Sequence, residues 1–184
     1  FDYGVRLNGA LDSCRFNSVH FWPVGLTGNQ SSIMTSLGTV GADIGRADDL
    51  KFAECLFYVG TAINAYSGIG GGCFATFSNC DLDGFYGMTM SGGDISFVGG
   101  FQSSGSPTAQ KLVQTGGRVS YSGVQFLVVA NFPTGTPWMS VVAGTCNIVG
   151  GQIKRDDFDV CMFNVGGSGR LTISSTSIVH GANV

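Results

Sequence analysis

Apolar and polar positions follow one eight-residue pattern along this chain: apolar, any, apolar, two small or polar residues, a residue that is often small, any, apolar. It is matched at residues 9–16, 50–57, 75–82, 95–102, 119–126, 146–153 and 171–178. The third position reads Leu11, Phe52, Phe77, Phe97, Tyr121, Ile148 and Ile173; the eighth reads Phe16, Phe57, Leu82, Gln102, Phe126, Ile153 and Ile178. Only Gln102 among these is polar, whereas a 43% hydrophobic background would supply about six of fourteen apolar residues. Side chains alternate along a strand with period two, so positions one and three share one face and positions six and eight share another. Three and six differ in parity, so a bend must separate them. Positions four and five, such as Ser78-Asn79, Val98-Gly99 and Ser122-Gly123, supply it, because Gly, Ser and Asn tolerate unusual backbone angles. A further short strand often precedes the motif, as in Val5-Arg6-Leu7 and Met88-Thr89-Met90. Three strands and their bends make one triangular coil.

The pattern therefore predicts an all-β fold: a right-handed, single-stranded parallel β-helix of about seven coils, with equivalent residues stacked in columns at one inter-strand spacing. Residues 1–184 read as a single solenoid segment. The wide first interval, 23–46, lacks the motif and is rich in Gly, Ser and Thr, which suggests a protruding excursion. Position six places Cys14, Cys55 and Cys80 in one interior stack, as small buried hydrophobes. A β-sandwich also has short strands and glycine-rich turns, but does not explain a parity break recurring at coil-length intervals.

Composition narrows the function. Charged residues are 11% of the chain against roughly 25% in ordinary soluble domains, and the net charge is −3. Lys51, Arg118, Lys154 and Arg155 are too scattered to track a phosphate backbone, so no nucleic-acid partner is expected. The longest apolar run, 126–130, is too short for membrane insertion as a helix. No C-x-x-C or paired Cys/His spacing suggests a metal, and no cofactor motif is present; the glycines at 70–72 lack the Lys-Ser/Thr of a phosphate loop. The chain starts at Phe1, which fits a segment of a longer protein.

Residues 4–9 (Gly-Val-Arg-Leu-Asn-Gly), 12–23 (Asp-Ser-Cys-Arg-Phe-Asn-Ser-Val-His-Phe-Trp-Pro) and, in style, 48–57 resemble coils of bacteriophage tailspikes and tail fibres. The resemblance is one of repeat style over essentially the whole chain. It implies a pectin-lyase-like β-helix, assembled in the host cytoplasm as a homotrimer on the virion tail beside other tail proteins. Family members bind host surface polysaccharide, and many depolymerise it. A reducing cytosol also argues that the stacked cysteines remain thiols. The aspartate–arginine constellation of pectate lyases and the Asn-Thr-Asp and Gly-His-Gly motifs of polygalacturonases are absent.

Glycan hydrolysis uses two carboxylates, one of them with a raised proton affinity. Asp81 and Asp83 occupy outward positions seven and nine of the third motif, with carboxyls roughly 6 to 8 Å apart, within reach of the inverting geometry. The bland reading is a pair of solvated residues beside a turn. Glu54, the only glutamate, is a second acid candidate or simply an exposed bend residue. Outward position nine reads Asn17, Tyr58, Asp83 and Ser103, a column able to line a saccharide groove, with the Tyr58 ring for stacking. Trp22 is a candidate for sugar contact or for packing across a trimer axis, and Trp138 for a loop aromatic. The cluster Arg155-Asp156-Asp157-Phe158-Asp159 fits calcium in principle, but a solvated loop better. His20 and His180 lack partner spacing for a base. Leu56, Phe101, Leu127 and Val149 fall at outward positions, as a trimer interface requires. Three classes stand: a depolymerising tailspike, a non-catalytic fibre or adhesin, and a free polysaccharide lyase or hydrolase.

Overall fold

The computed structural model describes residues 3–22, 39–67, 72–83, 86–103, 110–128, 135–155 and 162–180, and not the side chains of 10–12 and 180. Among the described residues there is no helix, and every strand pairing is parallel. Three walls are wound in turn. The first holds β1 (Tyr3–Leu7), β4 (Val40–Ile44), β7 (Thr61–Ala65) and β10 (Tyr86–Met90), then the first part of β13 (Leu112–Ser122) and of β15 (Met139–Val149), then β17 (Phe163–Val165). The second holds β2 (Ala10–Asn17), β5 (Ala47–Ala53), β8 (Cys73–Ser78) and β11 (Asp94–Val98), the remainder of β13 and β15, and β18 (Arg170–Ser174). The third is a seven-stranded sheet of short strands: β3 (His20–Phe21), β6 (Leu56–Phe57), β9 (Asp81–Leu82), β12 (Phe101–Gln102), β14 (Gln125–Val128), β16 (Gln152–Arg155) and β19 (Ser177–His180). Because β13 and β15 run through the first bend, walls one and two form one 12-stranded sheet. The chain is thus an all-β parallel solenoid of about five turns.

The interior is built from the predicted columns. Phe52 lies in register with Phe77, Phe77 with Phe97, Phe97 with Tyr121, and Tyr121 with Ile148. Their rings stack at 4.7 Å (Phe52–Phe77), 5.0 Å (Phe77–Phe97) and 4.9 Å (Phe97–Tyr121), nearly parallel. Each such pair adds about 0.5–1.5 kcal/mol beyond its area burial. Each bend between walls two and three has a left-handed residue, followed at two of them by a second, Gly100 and Gly151, with φ of 83° and 78°. Ser18, Glu54, Asn79, Gly99, Gly123, Gly150 and Ser175 have φ of 53°, 54°, 50°, 65°, 66°, 67° and 52°. The bend N–H groups still bond upward: Glu54 donates to the Ser78 carbonyl, Asn79 to Val98 and Gly99 to Ser122, at 2.8–2.9 Å. The hydrogen-bond ladder therefore continues around the corner.

The first turn corrects the predicted frame. Cys14 pairs with Leu50, Phe16 with Phe52 and Phe21 with Phe57, so the motif there is 14–21, not 9–16. Phe16, rather than Leu11, heads the aromatic column, stacked on Phe52 at 4.8 Å. Both frames offer a polar pair, Asp12-Ser13 or Asn17-Ser18, and only the second carries the left-handed residue. The three-cysteine stack shrinks accordingly to Cys55 and Cys80, while Cys14 joins the Leu50 column. Cys14, Cys55, Cys73, Cys80 and Cys146 are free thiols. Of the expected excursion at 23–46, Val40–Ile44 is a strand of wall one, and residues 23–38 lie outside the described residues.

Candidate functional site

The short strands of wall three present two outward columns. One contains His20, Leu56, Asp81, Phe101 and Gln125. The other is set by backbone bonds from Tyr58 to Phe21, from Asp83 to Phe57 and from Ser103 to Leu82, which align Trp22, Tyr58, Asp83 and Ser103. Trp22 takes the place expected for Asn17. The corrected frame puts Asn17 at the end of wall two, opposite Ala53, so it does not reach this face. Trp22 and Tyr58 instead meet with ring centroids 4.8 Å apart. The Trp22 side also borders a cleft of about 290 Å³ lined by Tyr3, Gly4, Val19, His20 and Phe21.

Asp81 is exposed and Asp83 half-buried on the same strand edge, one position on either side of the inward Leu82. The Ser103 hydroxyl donates to an Asp83 carboxylate oxygen. Burial pushes the Asp83 carboxyl above the usual carboxylate range; the Lys111 charge opposes that rise and the Asp81 charge adds to it. Glu54 stands elsewhere. It is the left-handed corner residue at the other end of the short wall, exposed, and accepts a 3.3 Å hydrogen bond from the Ser18 hydroxyl. The structure therefore brings Trp22, Tyr58, Asp81 and Asp83 to one face and leaves Asn17 and Glu54 off it.

Two features went unread in the sequence. Lys111 is fully buried at the corner between wall three and wall one, and burial lowers its ammonium to about 7 despite the attraction of Asp83. A single lysine before a strand gives no sign of this. The second is a polar ladder on the outer side of wall one: Arg6, Asp43, Asn64 and Thr89 in register. The buried Asp43 carboxylate takes the Arg6 guanidinium at 3.0 Å, the Asn64 amide at 2.6 Å and the Tyr66 hydroxyl at 3.4 Å. A polar residue flanked by inward apolar ones, as in Ala42-Asp43-Ile44 and Ile63-Asn64-Ala65, was the available signal. With three partners on its carboxylate, Asp43 ties the first three turns of the wall together.

Trp138 corrects another expectation: it is fully buried, edge-on to Phe126 at 5.3 Å, and is not an exposed loop aromatic. His20 is exposed on wall three. The side chain of His180 and residues 156–159 of the acidic cluster lie outside the described residues. Among the described residues no group of His, Cys, Asp and Glu is arranged to hold a metal ion, and no helix is long and apolar enough to cross a membrane. Leu56, Phe101 and Leu127 are half-buried, and Val149, Val98 and Phe74 are well exposed, on the outer surface. No protein-family model, curated protein or solved structure matches the chain.

Proposed function

We propose that the chain is a segment of a bacteriophage tailspike: a right-handed, pectin-lyase-like β-helix of about seven coils, homotrimeric, carried on the virion tail with other tail proteins. In this reading it binds host surface polysaccharide along wall three and depolymerises it. The observation that carries the reading is one column in which an aromatic pair, Trp22 and Tyr58, leads directly to Asp83 with the exposed Asp81 beside it. Aromatic faces grip pyranose rings while leaving hydroxyls free to hydrogen-bond. Asp83, whose proton is held by burial, is the general acid, and Asp81 is the carboxylate that activates water or attacks.

Incubation with capsule or O-antigen from candidate hosts, followed by a reducing-end assay, tests the proposal. New reducing ends are expected from the unmodified protein, with rates lowered by about 10²–10⁴-fold in Asp83→Asn. Binding should survive that change and weaken in Trp22→Ala. Absence of cleavage with retained binding would leave the non-catalytic adhesin. That second reading has its own support, since Ser103 already occupies one oxygen of Asp83. A free lyase or hydrolase would be monomeric, which light scattering separates from a trimer.

A further inference from the structure

The outer face of wall two carries charge in an order that is symmetric from one end of the wall to the other. Its outward residues stand in columns, one residue per turn, because the strands pair in register. The column nearest wall one reads Asp49, Phe74, Asp94, Arg118, Thr145 and Arg170 from β5 to β18. Its first half holds two acids and its second half two bases, equally far from the midpoint between Asp94 and Arg118. Those two central residues form an ion pair of 3.2 Å within the chain, and the Arg118 side chain is still 65% exposed. The two columns farther along the strands hold no charged residue from β8 to β18. In the middle one the Ser96 and Ser120 hydroxyls bond to each other at 3.0 Å. Phe74, Val98 and Val149, three of the most exposed apolar side chains among the described residues, all lie on this face. An exposed apolar strip with few charges, rimmed by ion pairs, has the make-up of an interface.

We propose that the outer face of wall two is a self-association surface, and that its partner is a second copy of this chain lying antiparallel. The two copies are related by a two-fold axis that runs along the strands, between β11 and β13. That rotation reverses the order of the turns and sets each column opposite itself. Asp94 then faces Arg118 of the second copy, and Asp49 faces Arg170 of the second copy; the symmetry makes each pair twice. At the centre four charges alternate in sign, since each Arg118 already holds its own Asp94. In the column nearest wall three, Val98 faces Ser122 of the second copy and Val149 faces Ser78, so each exposed valine meets a small residue. Two copies placed side by side with their turns level would instead set each charge against its own kind, which is destabilising. A partner of another sequence requires no such antisymmetry, whereas an isologous contact does. Six strands at about 4.8 Å and five residues at about 3.3 Å give about 500 Å² of flat face per copy. The pair covers about 1,000 Å², the area at which a specific interface begins. This goes beyond the tailspike reading: wall three is not part of the contact, and the two-fold axis is separate from that reading's three-fold one.

Sedimentation equilibrium of the full chain at low salt, with charge-swapped variants, tests the pairing. The unmodified protein should sediment as two copies, or as six where a three-fold contact is also made. A mass of one or three copies at every concentration would overturn the proposal. Asp49 and Arg170 are five turns apart, about 24 Å within one chain, so they can meet only between copies. Asp49→Arg alone and Arg170→Asp alone should each raise the dissociation constant by at least about tenfold, because each sets like charges opposite twice. Combining the two restores opposite charges and should bring the constant back. Lys154→Glu, on wall three, should leave it unchanged. Single swaps without effect, or a double swap that fails to recover, would contradict the antiparallel pairing. All these side chains are at the surface, and circular dichroism checks that each variant folds as the unmodified chain does. No polysaccharide enters the measurement, so the two ideas fail separately. Three copies that cleave a glycan keep the tailspike reading and lose this pairing, whereas two copies that neither bind nor cleave keep the pairing alone.

Discussion

The two ends of the short wall are built differently. At the bend between walls two and three a left-handed residue recurs, joined at two bends by a second glycine, and the strands on either side keep the same spacing. At the corner between wall three and the next wall one, the connection runs from Phe57 to Thr61 in one turn, from Leu82 to Tyr86 in the next, and from Gln102 to Leu112 after that. The first corner is repetitive, bonded turn to turn, and holds only Glu54 as a charged residue. The second holds Lys111, with Asp83 and Tyr58 at its edge, and the large buried Trp138. Regular corners transmit register; irregular corners are where a solenoid places chemistry, because a change of length there leaves the ladder intact.

The contrast breaks most readily at the column beside the regular corner. Phe77→Ala removes a ring that contacts Phe52, Phe57 and Phe97 at once, and should cost about 3–5 kcal/mol in chemical denaturation. A loss below about 1 kcal/mol would mean the stacked column does not hold the turns together.

A smaller effect sharpens the irregular side. Lys111 titrates near 7 when folded and near 10.5 when unfolded, so the unfolded chain binds the extra proton between those values and stability rises with pH across that window. Above about pH 9 the buried thiols of Cys73, Cys80 and Cys146, pushed up to about 12, act oppositely: the folded chain keeps protons that the unfolded chain has lost. The Lys111 contribution is therefore cleanest between about pH 7 and 9, on the order of 2 kcal/mol. Denaturation midpoints should climb over that range in the unmodified protein and stay level in Lys111→Met. An unchanged slope in the variant would assign the pH dependence to another group.

The smallest effects come from the regular corner itself. A Cβ at Gly123 meets nothing within 4 Å, so Gly123→Val isolates backbone strain and should cost about 1–2 kcal/mol. Glu54→Gly should go the other way, stabilising the fold by about 1 kcal/mol by relieving the left-handed glutamate. Equal and opposite signs at two equivalent positions, measured by thermal melts, would establish that one backbone state recurs in every turn.

What was legible in the sequence follows the same division. The columns through Phe52, Phe77, Phe97, Tyr121 and Ile148 were readable because inward positions repeat on both sides of a bend of constant length. The first turn was misread because two frames five residues apart satisfy the same apolar pattern, and hydropathy does not report which polar pair holds the positive φ. That slip placed Asn17 on the site and left Trp22 unaligned with Tyr58. Asp81 was found because it lies within a motif, and Asp83 because it follows that motif directly. Lys111 and Trp138 follow connections of unequal length, where periodicity carries no information, and only the folded chain reveals their burial.

The account stands on turn-over-turn register, and inter-strand NMR contacts test it most directly. Amide-to-α-proton contacts should link the strand of Phe77 to those of Phe52 and Phe97 in a parallel pattern, with Thr76 beside both Lys51 and Ser96. Antiparallel contacts, or Phe77 adjoining neither phenylalanine, would contradict the solenoid and the wall-three site built on it.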